Sequence, residues 1–369
     1  MPPNSSINVP KNGVIKRNIN DNTIVDDNDD PKQIVSRDYL RVRSEKDDWN
    51  CFEHIIWMNV FWFTLLHSLS IYGAYLLFVD AKFYTILFAL FTYNVSLFGI
   101  TAGVHRLWSH RAYKARFPLR LLLAFCNSMA YQNSIFEWAR DHRVHHKYSE
   151  TNADPVNIER GFFFAHIGWL LCRKHPDVKK FGLRLDLSDL KSDPVVYYQH
   201  KYYVPSVILM CFLLPTIIPW YYWGENFWTA FFVCAILRYV LALQSTWLVN
   251  SAAHMFGNRP YDINIAPAEN KAVSFLTLGI LFFLFCCFSK IINFDKSIGE
   301  GYHNYHHVFP WDYSTSEWGW NINLTTFILD QFSRIGWAYD RRFATKEMIR
   351  SRKSRTGNTQ HYEAQELGY

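Results

Sequence analysis

Long apolar runs alternate with polar, charged blocks along this chain, where a water-soluble fold would show a short amphipathic period. The runs cover 55–79, 83–104, 203–224 and 227–249. Each approaches or exceeds the about 20 residues that a helix needs to cross a bilayer. Within each pair the break is short: Asp80-Ala81-Lys82 in the first and Gly224-Glu225-Asn226 in the second. The pattern predicts four transmembrane helices arranged as two hairpins. Pro205, Pro215 and Pro219 are expected to kink the third helix, which a helical bundle tolerates. The predicted class is an all-α polytopic membrane protein.

Two hairpins bring the N-terminus, residues 105–201 and the C-terminal part to one side. Arg106, Arg111, Lys114, Arg116 and Arg120 follow the second run closely, whereas the opposite turns carry only Lys82 as a basic residue. The positive-inside rule places all three polar regions, both termini included, in the cytosol. A shorter apolar run, FLTLGILFFLFCCF at 275–288, would reverse the side of everything after it if it crossed. It is short for a span and is expected to be an interfacial or buried helix. Residues 1–50 contain NINDNTIVDDNDD and lack an apolar signal core. They read as a mostly disordered cytosolic tail, leaving the first membrane helix to direct insertion. Residues 51–345 then form one domain, a membrane stem with a cytosolic helical cap, and 346–369 a C-terminal tail.

Charge and cysteine add little. The net charge of +6 over 369 residues is accounted for by basic flanks of membrane helices, and no nucleic-acid partner is needed. Cys126, Cys211, Cys234, Cys286 and Cys287 lie in apolar context without a CxxC pair, as expected of buried reduced thiols.

Histidine changes the picture. His105 and His110 occur in HRLWSH, His142, His145 and His146 in HRVHH, and His303, His306 and His307 in HNYHH. Imidazoles three or four residues apart share a helix face, and neutral imidazole is a common nitrogen ligand. Asn250 and His254, one helical turn apart after the fourth run, reach the same side of the membrane. His254 would be a ninth ligand, and Asn250 would hold a metal-bound water or bind directly. Nine nitrogens exceed the four that a zinc site takes, and they divide naturally between two ions. Iron activates oxygen and zinc does not, so the reading is a di-iron oxygen-activating centre at a membrane surface with a lipid-like substrate. His54, His67, His166, His175, His200 and His361 read as ordinary surface or core residues, His67 as a polar contact within the bundle.

The segments GITAGVHRLWSHRAYKA, QNSIFEWARDHRVHHKYSETNADPVN, RGFFFAHIGWLL, QSTWLVNSAAHMFGNRPYD and GEGYHNYHHVFPWDY carry a family resemblance. From about Trp57 to Phe343 the chain resembles the membrane-bound acyl-CoA desaturases of the stearoyl-CoA desaturase group, with an insect-like flavour. The resemblance implies a mushroom-shaped fold in the endoplasmic reticulum membrane, with four membrane helices as the stem and a cytosolic cap. It implies insertion of a cis double bond, Δ9 by default, into a long-chain acyl-CoA. Oxygen and two electrons would be consumed, delivered by cytochrome b5 and its NADH-dependent reductase. The nine ligand positions fall on His105, His110, His142, His145, His146, His254, His303, His306 and His307, with Asn250 in the water-binding place.

The resemblance also places Asn59, Asn133, Arg140, Asp141, Arg173, Lys174 and Trp247 near the acyl-CoA. Gln132, Trp138 and Thr246 would shape a bend in the acyl tunnel, and Tyr93 would close its end. Arg173 and Lys174 read equally well as solvated surface cations. No HPGG-type haem motif is present, so no bound haem or flavin is expected. One departure stands out. After Thr277-Leu278-Gly279 the chain carries about twenty additional residues, 280–299, before Glu300-Gly301-Tyr302. Two rival readings follow: a related di-iron lipid hydroxylase, and a form made inactive by the insert.

Overall fold

A computed structural model describes residues 23–25, 34–36, 49–277, 301–318 and 323–358. Among the described residues, four helices are long and apolar enough to cross a membrane: α1 (Trp57–Val79), α2 (Phe83–Ser109), α5 (Tyr203–Trp223) and α6 (Phe227–Met255). They pair as the two expected hairpins. Helices α2 and α6 run beyond the apolar stretches, because their last turns leave the lipid yet continue as helix into the cap and carry His105 and His254 there. Their burial differs sharply: 67% of the most apolar stretch of α6 is buried against 17% for α1, so α6 is the central post and α1 the lipid-facing one. Trp57, Phe61, Trp62, Ile71 and Phe78 of α1 are accordingly exposed, as suits side chains solvated by lipid tails.

At the end of the stem away from the cap the two turns are clasped. Glu225 accepts from the Lys82 amide at 2.9 Å and from the Thr85 hydroxyl, and Trp223 Nε1 donates to Thr85 Oγ1 at 2.8 Å. At the other end, α3 (Phe117–Ala130) buries Leu119, Leu123 and Cys126 and leaves Phe117, Leu121 and Phe125 exposed. Such an apolar outer face suits a helix lying in the membrane interface. Helix α2 meets α3 closely at Gly99, where a Cβ would stand 2.3 Å from the Asn127 nitrogen. Arg238 of α6, a buried cation within a span, donates to the carbonyls of Met129, Cys211 and Cys234 at 2.8, 2.9 and 3.1 Å. It thereby satisfies the carboxyl end of α3, which would otherwise leave bare carbonyls in an apolar setting.

The cap is built from α4 (Ile135–Tyr148), several short helices between 158 and 201, α7 (Lys271–Thr277), α8 (His303–Val308), α9 (Leu324–Arg334) and α10 (Lys346–Thr356). Helix α4 starts in a capping box, Ser134 accepting from the Glu137 amide and Glu137 reaching back to the Ser134 amide. The expected tails differ in part. Thr23–Val25 (β1) and Ile34–Ser36 (β2) form an antiparallel pair, and α10 docks onto the cap where a tail was expected. Lys353 of α10 binds Glu317 at 3.0 Å, and Arg352 binds Asp262.

The insert at 280–299 and most of the run 275–288 lie outside the described residues. The described residues on either side of it meet: the Asn270 amide donates to the Gly301 carbonyl at 2.9 Å, and a Cβ on Gly301 would strike Ser274. Residues 270–274 and Gly301 therefore lie together on one side of the stem.

Candidate metal centre and acyl cavity

Each histidine arrives on a helix that fixes its direction. His105 and His110 are five residues apart, a spacing that an α-helix would splay to different faces. The end of α2 is wound as a π-helix, and the His110 amide donates to the His105 carbonyl at 3.1 Å. The wider turn puts both rings on one side. His142, His145 and His146 share a face of α4, His254 ends α6, and His303, His306 and His307 lie on α8. All nine converge at one end of the stem, in two groups: His105, His110, His142, His146 and His306, and His145, His254, His303 and His307.

Within the first group the Nε2 atoms of His105 and His306 stand 2.9 Å apart, those of His110 and His142 2.9 Å, and those of His146 and His306 3.0 Å. Within the second, His303 Nε2 is 2.8 Å from His254 Nε2 and 3.1 Å from His307 Nε2. A neutral imidazole nitrogen offers either one proton or one lone pair. His306 Nε2 and His303 Nε2 each approach two other ring nitrogens, so these contacts cannot all be hydrogen bonds. Two ligands at right angles, each about 2.1 Å from a shared ion, would be separated by about 3.0 Å. The spacing is therefore that of two preformed metal sites, and the donor set fits.

Electrostatics agree. Burial pushes the His110 and His303 rings down to about 3, helped by the Arg143 charge beside His110 and by His145 beside His303. His142, His146, His306 and His307 are also held well below the usual imidazole range, first by burial and then by neighbouring rings. Near neutral pH these rings keep the lone pairs that a metal needs.

Two cavities flank the histidines. The larger, of about 420 Å³, includes Asn59, Asn133, Asp141, Trp169 and Trp247 in its lining. A second, of about 80 Å³, includes Leu97, Ile100, Ser245 and Val249. Trp138, His142, Thr246 and Asn250 line both, so the cavities meet beside the first histidine group. Gln132 sets the corner by donating to Thr246 Oγ1 at 2.9 Å, and the Trp138 ring lies 4.7 Å from that of His142. Tyr93 lies past the second cavity and hydrogen-bonds Ser245 at 2.6 Å, with a further apolar cavity of about 60 Å³ behind it.

Residues 81–318 match the family described as "Fatty acid desaturase". Stearoyl-CoA desaturase 5 of Bos taurus is 54% identical over 306 residues, 83% of this chain and 85% of the relative. Acyl-CoA Delta12-desaturase of Acheta domesticus is 54% identical over 308 residues, 83% of this chain and 81% of the relative. Stearoyl-CoA desaturase of Homo sapiens is 54% identical over 303 residues, 82% of this chain and 79% of the relative.

The chain belongs to the fatty acid desaturase family. It is thus an oxidoreductase with a histidine cluster able to hold metal.

Of the residues assigned to substrate by resemblance, Asn59, Asn133, Asp141, Trp247, Gln132, Trp138 and Thr246 line the larger cavity. Arg140 and Lys174 are outside that lining but both pair with Asp141. Arg173 stands apart from the lining with its side chain exposed, tied through its backbone to the His54 carbonyl. Asn250 faces both cavities from α6, one turn before His254. The solitary histidines have structural partners: His54 stacks on Trp49, His175 caps the helix Pro176–Gly182, and His200 contacts Ser134. His361 lies outside the described residues.

Three supporting residues escaped the sequence reading of this desaturase. Asp154 accepts from His145 Nδ1, Glu269 from the Tyr305 amide at 2.9 Å, and Asn304 from the amides of Tyr261 and Asp262 at 2.9 and 3.1 Å. Burial pushes the Glu269 carboxyl up to about 8. Each sits among other polar residues in its segment, and no spacing rule distinguishes it from a solvated side chain.

Proposed function

We propose that this chain is an acyl-CoA desaturase that inserts a cis double bond, at Δ9, into a long-chain saturated acyl-CoA. The observation that carries the reading is the junction of two cavities against the five-histidine group, at Trp138, His142, Thr246 and Asn250. A bound acyl chain would enter along Trp247 and Asn59, bend at the Gln132–Thr246 hydrogen bond and end against Tyr93. Arg140 and Lys174, clamped on Asp141 at the mouth, suit the phosphates of CoA, with Arg173 beside them. Cis geometry follows from the bend, because only a chain turned at the corner fits both cavities.

The nine histidines are the proposed ligands of two iron ions: five in the first group, and four in the second with Asn250 holding a water. When bound, the ions supply the oxidising power that unactivated methylenes require. Removing one hydrogen from each of two adjacent carbons forms the C=C bond. With two further electrons and two protons, one O2 leaves as two waters. The residues around the bend position the two carbons and exclude bulk water, so that geometry selects the bond. The electrons would come from cytochrome b5 and its NADH-dependent reductase. The site then faces the cytosol from the endoplasmic reticulum membrane, in line with the basic flanks of the cap.

Fatty-acid profiling with double-bond location, in desaturase-deficient yeast, tests the reading. A Δ9 cis acid supports it, a Δ12 acid like that named for the Acheta domesticus relative overturns the position, and a hydroxy acid overturns the reaction. A parallel form lacking 280–299 separates the inactive alternative: product from the shortened form alone would make the chain as it stands inert.

A further inference from the structure

Two cysteines with no part in the metal centre face each other beside the acyl cavity. Cys51 opens the 3₁₀ turn Cys51–His54, just before α1, and Cys172 follows the short helix Trp169–Leu171. The two segments form a seam. Ile55 pairs with Cys172 in an antiparallel bridge, the Ile56 amide donates to the Leu171 carbonyl at 2.8 Å, and the Arg173 amide to the His54 carbonyl at 2.9 Å. Ring contacts reinforce it: Trp49 lies 3.7 Å from His54 and 5.2 Å from His175. Across the seam the Cys51 and Cys172 thiols are within hydrogen-bonding reach of each other.

The seam continues into the wall of the larger cavity. Asn59 and Phe63 of α1 line that cavity together with Trp169 and Leu170, and Asn59 Nδ2 donates to the Leu170 carbonyl at 2.8 Å. Arg173 and Lys174 follow Cys172 directly. A bond between positions 51 and 172 would therefore fix the junction of the cavity wall with the cations at its mouth.

We propose that Cys51 and Cys172 form a reversible thiol–disulfide strap that locks this seam when the surrounding thiol pool is oxidised. The strap stands apart from the desaturase reading, and its effect on acyl-CoA rests on that reading. The two thiols differ in access. Cys51 is partly exposed, in a turn with no buried residue, whereas Cys172 is buried. Burial, then the contact with Cys51, pushes the Cys172 thiol up to about 12, so near neutral pH it stays protonated and Cys51 exchanges first. Glutathione disulfide is the oxidant. The Cys51 sulfur breaks its S–S bond, giving a mixed disulfide at Cys51 and one free glutathione. The Cys172 sulfur then displaces the second glutathione, and each cysteine proton ends on a departing glutathione sulfur. Two protein thiols are oxidised to one disulfide, and one glutathione disulfide is reduced to two thiols. In a reducing cytosol the pair rests as two thiols.

The test uses the full chain in lipid nanodiscs, equilibrated with graded ratios of glutathione disulfide to glutathione. Trypsin leaves Cys51 in peptide 47–82 and Cys172 in peptide 161–173, each the sole cysteine of its fragment. Mass spectrometry should find the two peptides joined after oxidation and separate again after dithiothreitol. The cross-link ties positions far apart in sequence, so the thermal midpoint should rise by several degrees. Release of bound stearoyl-CoA should slow about tenfold, because the locked seam no longer parts. Cys51→Ser and Cys172→Val should each abolish the joined peptide and both shifts, and agreement between them separates the lost bond from a folding defect in either. Glutathione carried at Cys51 without a joined peptide at any ratio overturns the pair. A joined peptide with release as fast as in the reduced protein overturns the lock on the acyl path. Peptide mapping needs neither acyl-CoA nor turnover, so a chain that forms no unsaturated acid sinks the reaction while the disulfide is judged on its own result.

Discussion

His145 Nδ1 stands 2.8 Å from Asp154 Oδ1, and both side chains are buried in the cap. The contact fixes the ring: with its Nδ1 proton donated to the carboxylate, His145 presents a bare Nε2 to the four-histidine group. Asp154 is itself held by the Glu150 and Val156 amides, both at 3.0 Å. Asp154→Asn keeps the shape, removes the charge and gives up one of those acceptors. Metal affinity is expected to fall about 10–100-fold, the usual loss when such a partner is removed. Metal per chain, measured by mass spectrometry after graded chelation, checks this; retention equal to the parent would remove Asp154 from the metal-binding account.

The depressed histidines make a pH prediction with a defined sign. His110 and His303 titrate at about 3 in the fold against 6.5 when free. Between those values the unfolded chain takes up protons that the folded chain refuses. Stability is therefore fully present above about pH 6.5 and is lost as pH falls towards 3, by about 1.4 kcal/mol per pH unit for each group. Thermal unfolding of the metal-free protein between about pH 7.5 and about pH 5 should show a falling midpoint. Metal loading should move the fall to lower pH, because the ion competes for the same lone pairs. A flat profile would mean that the rings are solvated.

Tyr93 and Ser245 form a floor under the second cavity, and the space behind them is lined by Leu77, Ile86, Leu90, Val233 and Leu241. Tyr93→Ala should join the two spaces and shift products towards longer chains. Each additional methylene buried is worth about 0.8 kcal/mol, or about fourfold in preference. Tyr93→Phe removes only the hydrogen bond and should leave chain length unchanged. Acyl-CoA competition between chain lengths reads both; an unaltered profile in Tyr93→Ala would place the tunnel end elsewhere.

Much of the fold could be read from the chain because lipid imposes a coarse rule, and long apolar runs satisfy it wherever they occur. The histidines were equally visible as a residue type. Their division into five and four was not, since it depends on how α4 and α8 lie across the ends of α2 and α6. The pairing of His105 with His110 depends on a π-helical turn that no residue pattern in HRLWSH announces. Helix α10, KEMIRSRKSRT, has the polarity of a tail; it is held by ion pairs to Asp262 and Glu317, partners about ninety and thirty-six positions away. Asp154 looked like any acid in a turn, and only the folded distance to His145 gives it a role.

Two histidines read as ordinary residues join a chain that braces the acyl cavity. Gln244 lies 3.1 Å from His67 Nε2 and 2.9 Å from His166 Nε2, and His166 Nδ1 lies 2.9 Å from Ser251 Oγ. The rings of His67 and His166 approach Trp247 at 6.1 and 5.8 Å, holding the indole that walls the cavity. Gln244→Leu would leave two imidazoles without that partner in an apolar setting, at a cost of about 1–3 kcal/mol. Gln244→Asn, shorter by one methylene, would restore the polarity but not the reach. If the chain serves only stability, both variants should lower the midpoint and leave the product position unchanged. As a positioning device it should do more: Gln244→Leu should let Trp247 rotate and spread the double bond over neighbouring carbons. Double-bond location in the isolated products decides between them, and a single unshifted position in Gln244→Leu would reduce the chain to scaffolding.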